Sequence, residues 1–201
     1  PPERTMAAEF GVAVGTLRKA LSRLQDQKLL RRVQGSGNYI NITPQTANIY
    51  SFFRLESLSG AGLPTAQLLS VDRLPKPIDA PYFGANPAAF RFRRLRFLDH
   101  QPAALEEIWL DGSVADHIAP EEISESLYHT YQTRFGLWIV RAEDRVSFAP
   151  TPTWGVDQFG LRPGETAGYV ERIAWANTGA ALEFSRNWYD SSVSRYVARI
   201  K

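Results

Sequence analysis

Apolar and polar residues alternate along five segments in the second part of the chain. These segments are rich in aromatic and β-branched residues and are bounded by Pro, Gly, Asp or Asn. They predict five β-strands, over residues 90–98, 103–110, 138–148, 167–175 and 181–189. Turn signals at 99–102 and 177–179 join neighbouring segments into hairpins. The predicted sheet is therefore antiparallel.

A helical pattern separates the second and third of these strands. Leu127, Tyr128, Tyr131 and Phe135 recur at helical spacing after Ser126. Serine is a favoured N-cap residue, and the glycine at position 136 is a favoured helix end. A capped amphipathic helix beside an antiparallel sheet predicts an α+β fold.

The first forty residues follow a different pattern. A short apolar stripe in 3–10 precedes a turn at 11–12, and a second helical face follows. Two short strand patterns then flank the glycine-rich stretch 34–37. This order predicts a helix-turn-helix followed by a hairpin, or wing. The second helical face consists of Leu17, Ala20, Leu21 and Leu24.

Charge divides the chain in the same place. The 201 residues carry a net charge of only +2. Residues 1–44, however, hold seven basic and three acidic residues, which is +4, and the remainder holds sixteen basic and eighteen acidic residues, which is −2. This asymmetry favours a nucleic-acid-binding end joined to a second domain. The polar, proline-containing stretch 43–49 is the predicted linker.

Composition excludes several classes of protein. With 44% hydrophobic and 22% charged residues, the chain is typical of a globular protein rather than a disordered one. The absence of cysteine excludes disulfides, zinc–thiolate sites and cysteine nucleophiles. The apolar run 57–71 is too short and too interrupted by Gly and Pro to span a bilayer.

The basic end resembles the winged helix of GntR-type bacterial regulators. The resemblance runs from residue 2 to 42 and includes Ala8-Glu9-Phe10-Gly11-Val12, Thr16-Leu17-Arg18 and Arg32-Val33-Gln34-Gly35-Ser36-Gly37. It implies DNA contacts by Arg4, Thr16, Arg18, Gly35 and Gly37. The family usually has Ser and then often Arg at the start of the recognition helix. Here Ala13 and Val14 remove that capping oxygen and that cation.

The chain opens at Pro1-Pro2, without Met and without a helix ahead of the motif. A winged helix normally has such a helix over its core. We expect about 20–30 further N-terminal residues, the length of one helix and its approach.

Two arginines share a face with two phenylalanines on the segment 90–98, namely Phe90, Phe92, Arg94 and Arg96. An unpaired buried charge is very costly. The pattern therefore leaves two interpretations, a solvated face with surface Arg–Glu pairs or a covered pocket that receives an anion. One face of 181–189 is mixed in the same way, with Ala181, Glu183, Ser185, Asn187 and Tyr189.

The larger segment resembles the UTRA effector-binding domain of the HutC branch of GntR-type regulators. The matching motifs include Arg94-Leu95-Arg96, Leu105-Glu106, Ser126-Leu127-Tyr128 and Leu182-Glu183-Phe184-Ser185-Arg186. The resemblance covers residues 48–201 and implies the antiparallel sheet and surrounding helices of chorismate lyase. It also implies eight effector-binding residues: Ser51, Arg94, Arg96, Glu106, Ser126, Tyr128, Glu183 and Tyr189.

Chemistry suggests a role for each type of residue in this set. The arginines suit a phosphate or carboxylate, and the helix start at Ser126 adds N–H donors. The carboxylates suit hydroxyl or amine donors, and the tyrosines suit a wall or a hydrogen bond. A pair such as Glu106 and Glu183 also fits acid–base catalysis. The three histidines lie in different elements, and neither a nucleophile–base set nor a metal cluster is apparent.

We therefore predict a cytoplasmic, homodimeric transcription factor, most simply a repressor. Residues 1–44 form its incomplete DNA-binding domain, and residues 45–201 form its effector-binding and dimerisation domain. Its partners are double-stranded operator DNA and a small anionic metabolite such as a sugar phosphate or an organic acid, with no cofactor. Two alternatives remain at this point. One is a constitutive DNA-binding protein whose second domain only dimerises, and the other is a chorismate-lyase-like enzyme.

Overall fold

Two units with separate hydrophobic cores make up the chain, residues 1–51 and residues 52–201. The computed structural model describes residues 3–26, 30–33, 37–40, 52–60 and 62–199. Gly35 and Ser51, which are predicted to contact DNA and effector, lie outside these residues.

The described residues of the first unit form two helices and a hairpin. Helix α1 spans Glu3–Glu9 and helix α2 spans Val14–Asp26. Gly11 makes the turn between them with a φ of 62°, a left-handed conformation that glycine adopts without strain. Strands β1 (Leu30–Val33) and β2 (Gly37–Ile40) pair antiparallel. The predicted helix-turn-helix and wing are confirmed.

The core of this unit is small. Ala7 from α1 packs against Leu17 and Leu21 from α2, and Met6 and Val14 flank them. Ala20 and Leu24, which belong to the predicted apolar face of α2, are exposed.

The second unit is built on one large antiparallel sheet. The strands of this unit are β3 (Leu55–Ser57), β4 (Pro64–Pro75), β5 (Ala88–Leu98), β6 (Gln101–Asp111), β7 (Ile139–Pro150), β8 (Thr166–Ala176), β9 (Ala181–Tyr189) and β10 (Ser194–Tyr196). Six of them form the sheet in the order β4-β5-β6-β9-β8-β7, and β3 pairs with β10. All five predicted strands are present within two residues of their predicted ends. The sequence patterns did not reveal β4.

One α-helix packs on this sheet. Helix α3 spans Leu127–Phe135, and the Ser126 hydroxyl caps it by accepting from the His129 backbone N–H. Gly136 ends the helix with a φ of 64°. Both predicted ends are confirmed.

The central strands of the sheet are covered on both faces. Phe90, Phe92 and Tyr131 belong to the core cluster between the sheet and α3, whereas Leu95 and Trp188 belong to a cluster on the opposite face. Strand β6 is buried from residue 103 to 111. The interpretation of a solvated face on residues 90–98 is therefore wrong. Arg94 and Arg96 are only 3% and 7% exposed. Their function therefore depends on the side chains that they contact inside the protein.

Candidate effector pocket and DNA-binding surface

Strand register brings the polar residues together beneath α3. Arg94 on β5 lies opposite Glu106 on β6, and Glu106 lies opposite Asn187 on β9. Arg172 on β8 lies opposite Asp144 on β7 in an adjacent row of the same face. Residues far apart in the chain therefore form one continuous polar surface.

A buried three-residue ion cluster lies at the centre of this surface. Nε and Nη2 of Arg94 both donate to Oε2 of Glu106, at 2.9 and 2.6 Å. Arg96 donates to both oxygens of the same carboxylate, each at 3.1 Å. Burial alone would raise the pKa of Glu106, but the two guanidiniums outweigh it and lower that pKa to about 2. Glu106 is therefore ionised at neutral pH.

Arg94 also ties the cluster to the start of α3. Its Nη1 donates to the carbonyl of Glu125 at 3.2 Å, directly before the N-cap Ser126. The Ser126 hydroxyl is used in capping the helix. Arg94 therefore lies next to Ser126, which is also a predicted effector residue. The two side chains need no direct hydrogen bond to stay in these positions.

A second buried carboxylate links α3 to β9. Glu183 accepts from the hydroxyl of Tyr128 at 3.2 Å and from that of Tyr131 at 2.7 Å. Burial raises the pKa of Glu183, and these hydrogen bonds oppose that effect. The environments of Glu106 and Glu183 therefore shift their pKa values in opposite directions.

A pocket opens beside the ion cluster. It has a volume of about 350 Å³, counting the space that opens to solvent. Glu106 belongs to its wall, whereas Arg94 and Arg96 do not. The residues that line it are Phe52, Phe53, Arg54, Leu55, Glu106, Val170, Arg172, Asn187 and Tyr196.

Two aromatic residues connect the predicted effector residues to this pocket. The Arg96 guanidinium lies 5.3 Å from the ring centroid of Phe53. The ring of Phe52 meets that of Tyr128 edge-on, with centroids 6.3 Å apart. Arg96 and Tyr128 therefore support one wall of the pocket.

Arg172 is held at the pocket by a two-point ion pair. Its Nε and Nη2 donate to the two oxygens of Asp144, at 2.5 and 2.6 Å. The hydroxyl of Tyr196 donates to the same carboxylate at 2.7 Å. Burial of Asp144 opposes its ionisation, but these donors keep its pKa below the usual range.

Tyr189 has a packing role in this structure. Its ring lies over Gly168, where an added Cβ would sit 2.2 Å from the ring. It packs in a cluster with Leu55 and Val170, both of which also line the pocket. Tyr189 therefore contributes to the pocket indirectly, through the two lining residues that it packs against.

Three of the five predicted DNA-binding residues have side chains on the exposed surface of the first unit. Arg4 on α1 and Thr16 and Arg18 on α2 are all exposed. Arg18 Nε lies 2.7 Å from the Glu3 carboxylate. Gly37 is the first residue of β2. The predicted side chains are thus accessible to a nucleic acid.

The histidines and acidic residues give no sign of metal chemistry. His100, His117 and His129 are each exposed. Within the described ranges, no three His, Asp or Glu residues lie close enough to hold a metal ion. Nor is any helix in those ranges long and apolar enough to cross a membrane.

Comparison with known proteins decides the family. Residues 61–194 match the UTRA domain, and residues 1–40 match the gntR family of bacterial regulatory proteins. The chain belongs to the GntR family of transcriptional regulators, with a UTRA domain. It is therefore a regulator built to bind DNA and a small molecule, and not an enzyme.

Two named regulators illustrate the relationship. The chain is 52% identical to the HTH-type transcriptional regulator SmoD of Agrobacterium fabrum, over all of this chain and 86% of that protein. It is 26% identical to the mannosyl-D-glycerate transport/metabolism system repressor MngR of Escherichia coli, over 98% of this chain and 84% of that one. The fold agrees with the crystal structure of YydK, a possible transcriptional regulator from Bacillus subtilis. That comparison has a TM-score of 0.61 at 21% identity and covers 100% of this chain and 89% of that chain.

The sequence patterns missed most of the pocket wall in this UTRA domain. Arg172 and Asp144 each occupy a position on one face of its strand, β8 and β7. Their pairing became visible only with the register between these two strands. Arg54 precedes a strand of only three residues, which carries no detectable alternation. Glu106 and Asn187 are the exceptions, because Glu106 is a predicted effector residue and Asn187 shares the mixed face of β9 noted in the sequence.

Proposed function

We propose that this protein is a cytoplasmic, homodimeric repressor that a small anionic metabolite releases from its operator. Residues 1–44 supply the DNA-binding domain and residues 45–201 the effector-binding and dimerisation domain. The proposed DNA contacts are Arg4, Thr16, Arg18, Gly35 and Gly37. The proposed effector site consists of Ser51, Arg94, Arg96, Glu106, Ser126, Tyr128, Glu183 and Tyr189, together with the pocket wall.

The observation that carries this proposal is the polar pocket beside the buried ion cluster. Its wall contains two guanidiniums, one carboxylate and one amide among aromatic and aliphatic side chains. Ligand pockets combine an apolar wall with a few placed polar groups in this way. The positive groups favour an anion, and the relative MngR is named for a system that handles a glycerate, which is a carboxylate.

The position of the pocket suggests how binding could be communicated. Four of its wall residues are 52–55, which follow directly after the first unit in the chain. An effector that binds tightly to one arrangement of this segment stabilises that arrangement. If DNA binding favours a different arrangement, effector and operator oppose each other, and the effect is reciprocal.

The proposed homodimer fits both the operator and the surface of the second unit. A two-fold symmetric protein reads a pseudo-palindromic site with its two recognition helices. Strand β7 is an edge of the sheet and exposes Val140, Val146 and Phe148, the last being 75% exposed. Apolar side chains on an open edge strand are suited to pairing with a second copy.

The experiment uses the full chain, a panel of anionic and neutral metabolites, and a DNA fragment from upstream of its own gene. We expect at least one anionic metabolite to raise the midpoint of thermal unfolding and to dissociate the DNA complex at the same concentrations. DNA binding that no metabolite changes would contradict the proposed response to an effector and favour constitutive DNA binding. A chain that does not bind DNA at all would contradict the proposed role in transcriptional regulation.

A further inference from the structure

The two edges of the large sheet differ in how open they are to a further strand. Strand β4 begins at Pro64 and ends at Pro75, and its register with β5 shifts midway. Proline and irregular pairing are devices that keep an edge strand from pairing with another chain. Strand β7 pairs with β8 in one unbroken register from Arg141 to Pro150, and its other side faces no strand among the described residues. The β7 edge is therefore the better suited of the two to accept a further strand.

A row of alternating charges crosses the face of the sheet that lies away from α3. Arg93 on β5 lies opposite Glu107 on β6, and Glu107 lies opposite Arg186 on β9. Arg186 in turn lies opposite Glu171 on β8, and Glu171 lies opposite Arg145 on β7. Nitrogen–oxygen distances are 2.9 Å between Arg93 and Glu107, and 4.0 and 3.9 Å from Arg186 to its two acidic neighbours. The row stops at the open edge with Arg145, whose side chain is 65% exposed.

We propose that β7 pairs antiparallel with β7 of a second copy of this chain, and that Arg145 lies opposite Glu143 of the second copy. The row of charges then continues across the interface with an acidic residue, as its alternation requires. A two-fold axis produces this pair twice, once on each side of the axis. The proposal rests on the homodimer proposed above and gives it a specific interface.

Symmetry leaves few choices for the residue opposite Arg145. A two-fold axis perpendicular to a continuous sheet keeps each face on its own side, so residues of the same face lie opposite each other. The positions of β7 that share this face are 141, 143, 145, 147 and 149. Among them only Glu143 carries a negative charge, and like charges directly opposite each other are unfavourable. The charge pattern therefore selects one register, in which Asp144 lies at the two-fold axis.

The same register covers apolar side chains on the other face of β7. Val146 and Phe148 are 51% and 75% exposed in the single chain. Val146 comes to lie opposite Ala142 of the second copy, and Phe148 reaches the start of the second β7, where Val140 is also exposed. Asp144 lies opposite Asp144 of the second copy, but two hydrogen bonds from Arg172 already balance the charge of each carboxylate. The interface thus combines opposite charges on one face with apolar contacts on the other.

Two charge variants of the full chain test the pairing of Arg145 with Glu143. Glu143→Arg places arginines opposite each other in its own dimer, and Arg145→Glu places glutamates opposite each other. We expect each variant alone to raise the dimer dissociation constant, measured by sedimentation, by about tenfold or more, because two attractive pairs become repulsive. A mixture of the two variants restores both pairs of opposite charge, so it should form a heterodimer nearly as tightly as the wild type dimerises.

The mixture separates an interface contact from a structural effect, because damage within one chain would not be repaired by mixing. Glu121→Arg is the matched control for the change of charge, since Glu121 is exposed and lies outside the sheet. It should dimerise as tightly as the wild type.

Engineered cysteines measure the register directly, because the chain has no cysteine of its own. Ala142→Cys and Val146→Cys, combined in one chain, lie opposite each other across the proposed interface and within reach of a disulfide. Within one chain the two positions are four residues, or about 13 Å, apart, which is too far for a disulfide. We expect the double variant to form a linked dimer on mild oxidation and either single variant to stay unlinked. Ala142→Cys with Phe148→Cys is the control, since these positions are opposite only in a register shifted by two residues.

Linkage of the cysteines at 142 and 146, together with rescue by mixing, would support the pairing. Linkage of those at 142 and 148 instead, linkage of neither pair, or charge variants that dimerise as tightly as the wild type would overturn the register. A wild-type chain that stays monomeric in sedimentation would overturn the pairing with a second copy altogether. Release of DNA by a metabolite is measured separately, so it would still support the proposed response to an effector in each of these cases.

Discussion

Removing the carboxylate of Glu106 should destabilise the second unit strongly. Glu106→Gln keeps the shape of the side chain but removes the carboxylate that both Arg94 and Arg96 contact, in a site where both are nearly inaccessible. Breaking a buried ion pair in this way costs about 3–5 kcal/mol. For a protein of this size, each kcal/mol lowers the unfolding midpoint by about 2–4 °C, so we expect a loss of about 6–20 °C.

Thermal unfolding followed by circular dichroism measures this loss. The matched control is Glu143→Gln, because Glu143 also contacts two arginines, Arg141 and Arg145, but its side chain is 42% exposed. Exposed pairs contribute about 0–1 kcal/mol, so the control should unfold within a few degrees of the wild type. Equal midpoints for Glu106→Gln and the wild type would refute the buried cluster.

The ratio of two arginines to one carboxylate in the buried cluster gives a second test of its contribution to stability. Because two arginines share one carboxylate, Arg94→Met leaves a balanced pair of Arg96 and Glu106. It should therefore cost less stability than Glu106→Gln. Replacing all three residues by apolar ones of similar volume should restore much of the loss, since the desolvation cost then disappears as well.

The pH dependence of stability follows from the same carboxylate. Folding lowers the pKa of Glu106 from 4.5 to about 2. Its stabilising contribution is fully present above pH 4.5 and is lost as the pH falls toward 2. The loss amounts to about 3 kcal/mol. Urea unfolding at pH 6 and at pH 2 should therefore show the difference in stability between the wild type and Glu106→Gln shrinking by about that amount. A constant difference would contradict the lowered pKa.

Three further changes test other parts of the account. Arg18→Ala should weaken binding to operator DNA and reduce the slope of log affinity against log salt by about 1, and an unchanged slope in a gel-shift series would exclude a phosphate contact. Gly168→Ala should lower the unfolding midpoint through a cost of about 1–3 kcal/mol, because its Cβ would lie 2.2 Å from the Tyr189 ring; an unaltered midpoint would show that the ring moves freely. Phe148→Ser should shift light scattering from dimer toward monomer if β7 is the dimer edge, and an intact dimer would place the interface elsewhere.

Alternation was enough to predict the central strands of the sheet. Segments 90–98 and 181–189 each form a hairpin with a strand next to them in the chain. The pairing of β9 with β6, by contrast, does not follow from the chain order. Ser126 and Gly136 marked the ends of α3 because capping depends on the residues at the ends themselves. Local signals therefore predicted local structure.

The edge strand β4 could not be recognised in this way. It spans Pro64–Pro75 and begins and ends with proline, which normally argues against a strand interior. It lies at the edge of the sheet, where proline is tolerated. Its register also shifts between Leu68 and Ser70, which interrupts the alternation.

The sequence pattern also could not predict that the polar face of the sheet is buried. Alternation separates the two sides of a strand, but it does not say what covers each side. Here α3 supplies part of the cover for Arg94, and the segment 52–55 supplies the wall next to Arg96. Both lie far from β5 in the chain. The pairing of Arg172 with Asp144 likewise depends on the register of two strands about thirty residues apart.

Anisotropy of labelled operator DNA tests the central claim most directly. The wild type and Arg94→Met would be bound to the same DNA fragment and titrated with anionic metabolites, including sugar phosphates. The account predicts equal DNA affinity for the two proteins, with release of the wild type at effector concentrations about tenfold lower than those needed for Arg94→Met. Release of both proteins at the same concentration, or of neither at any concentration, would contradict it.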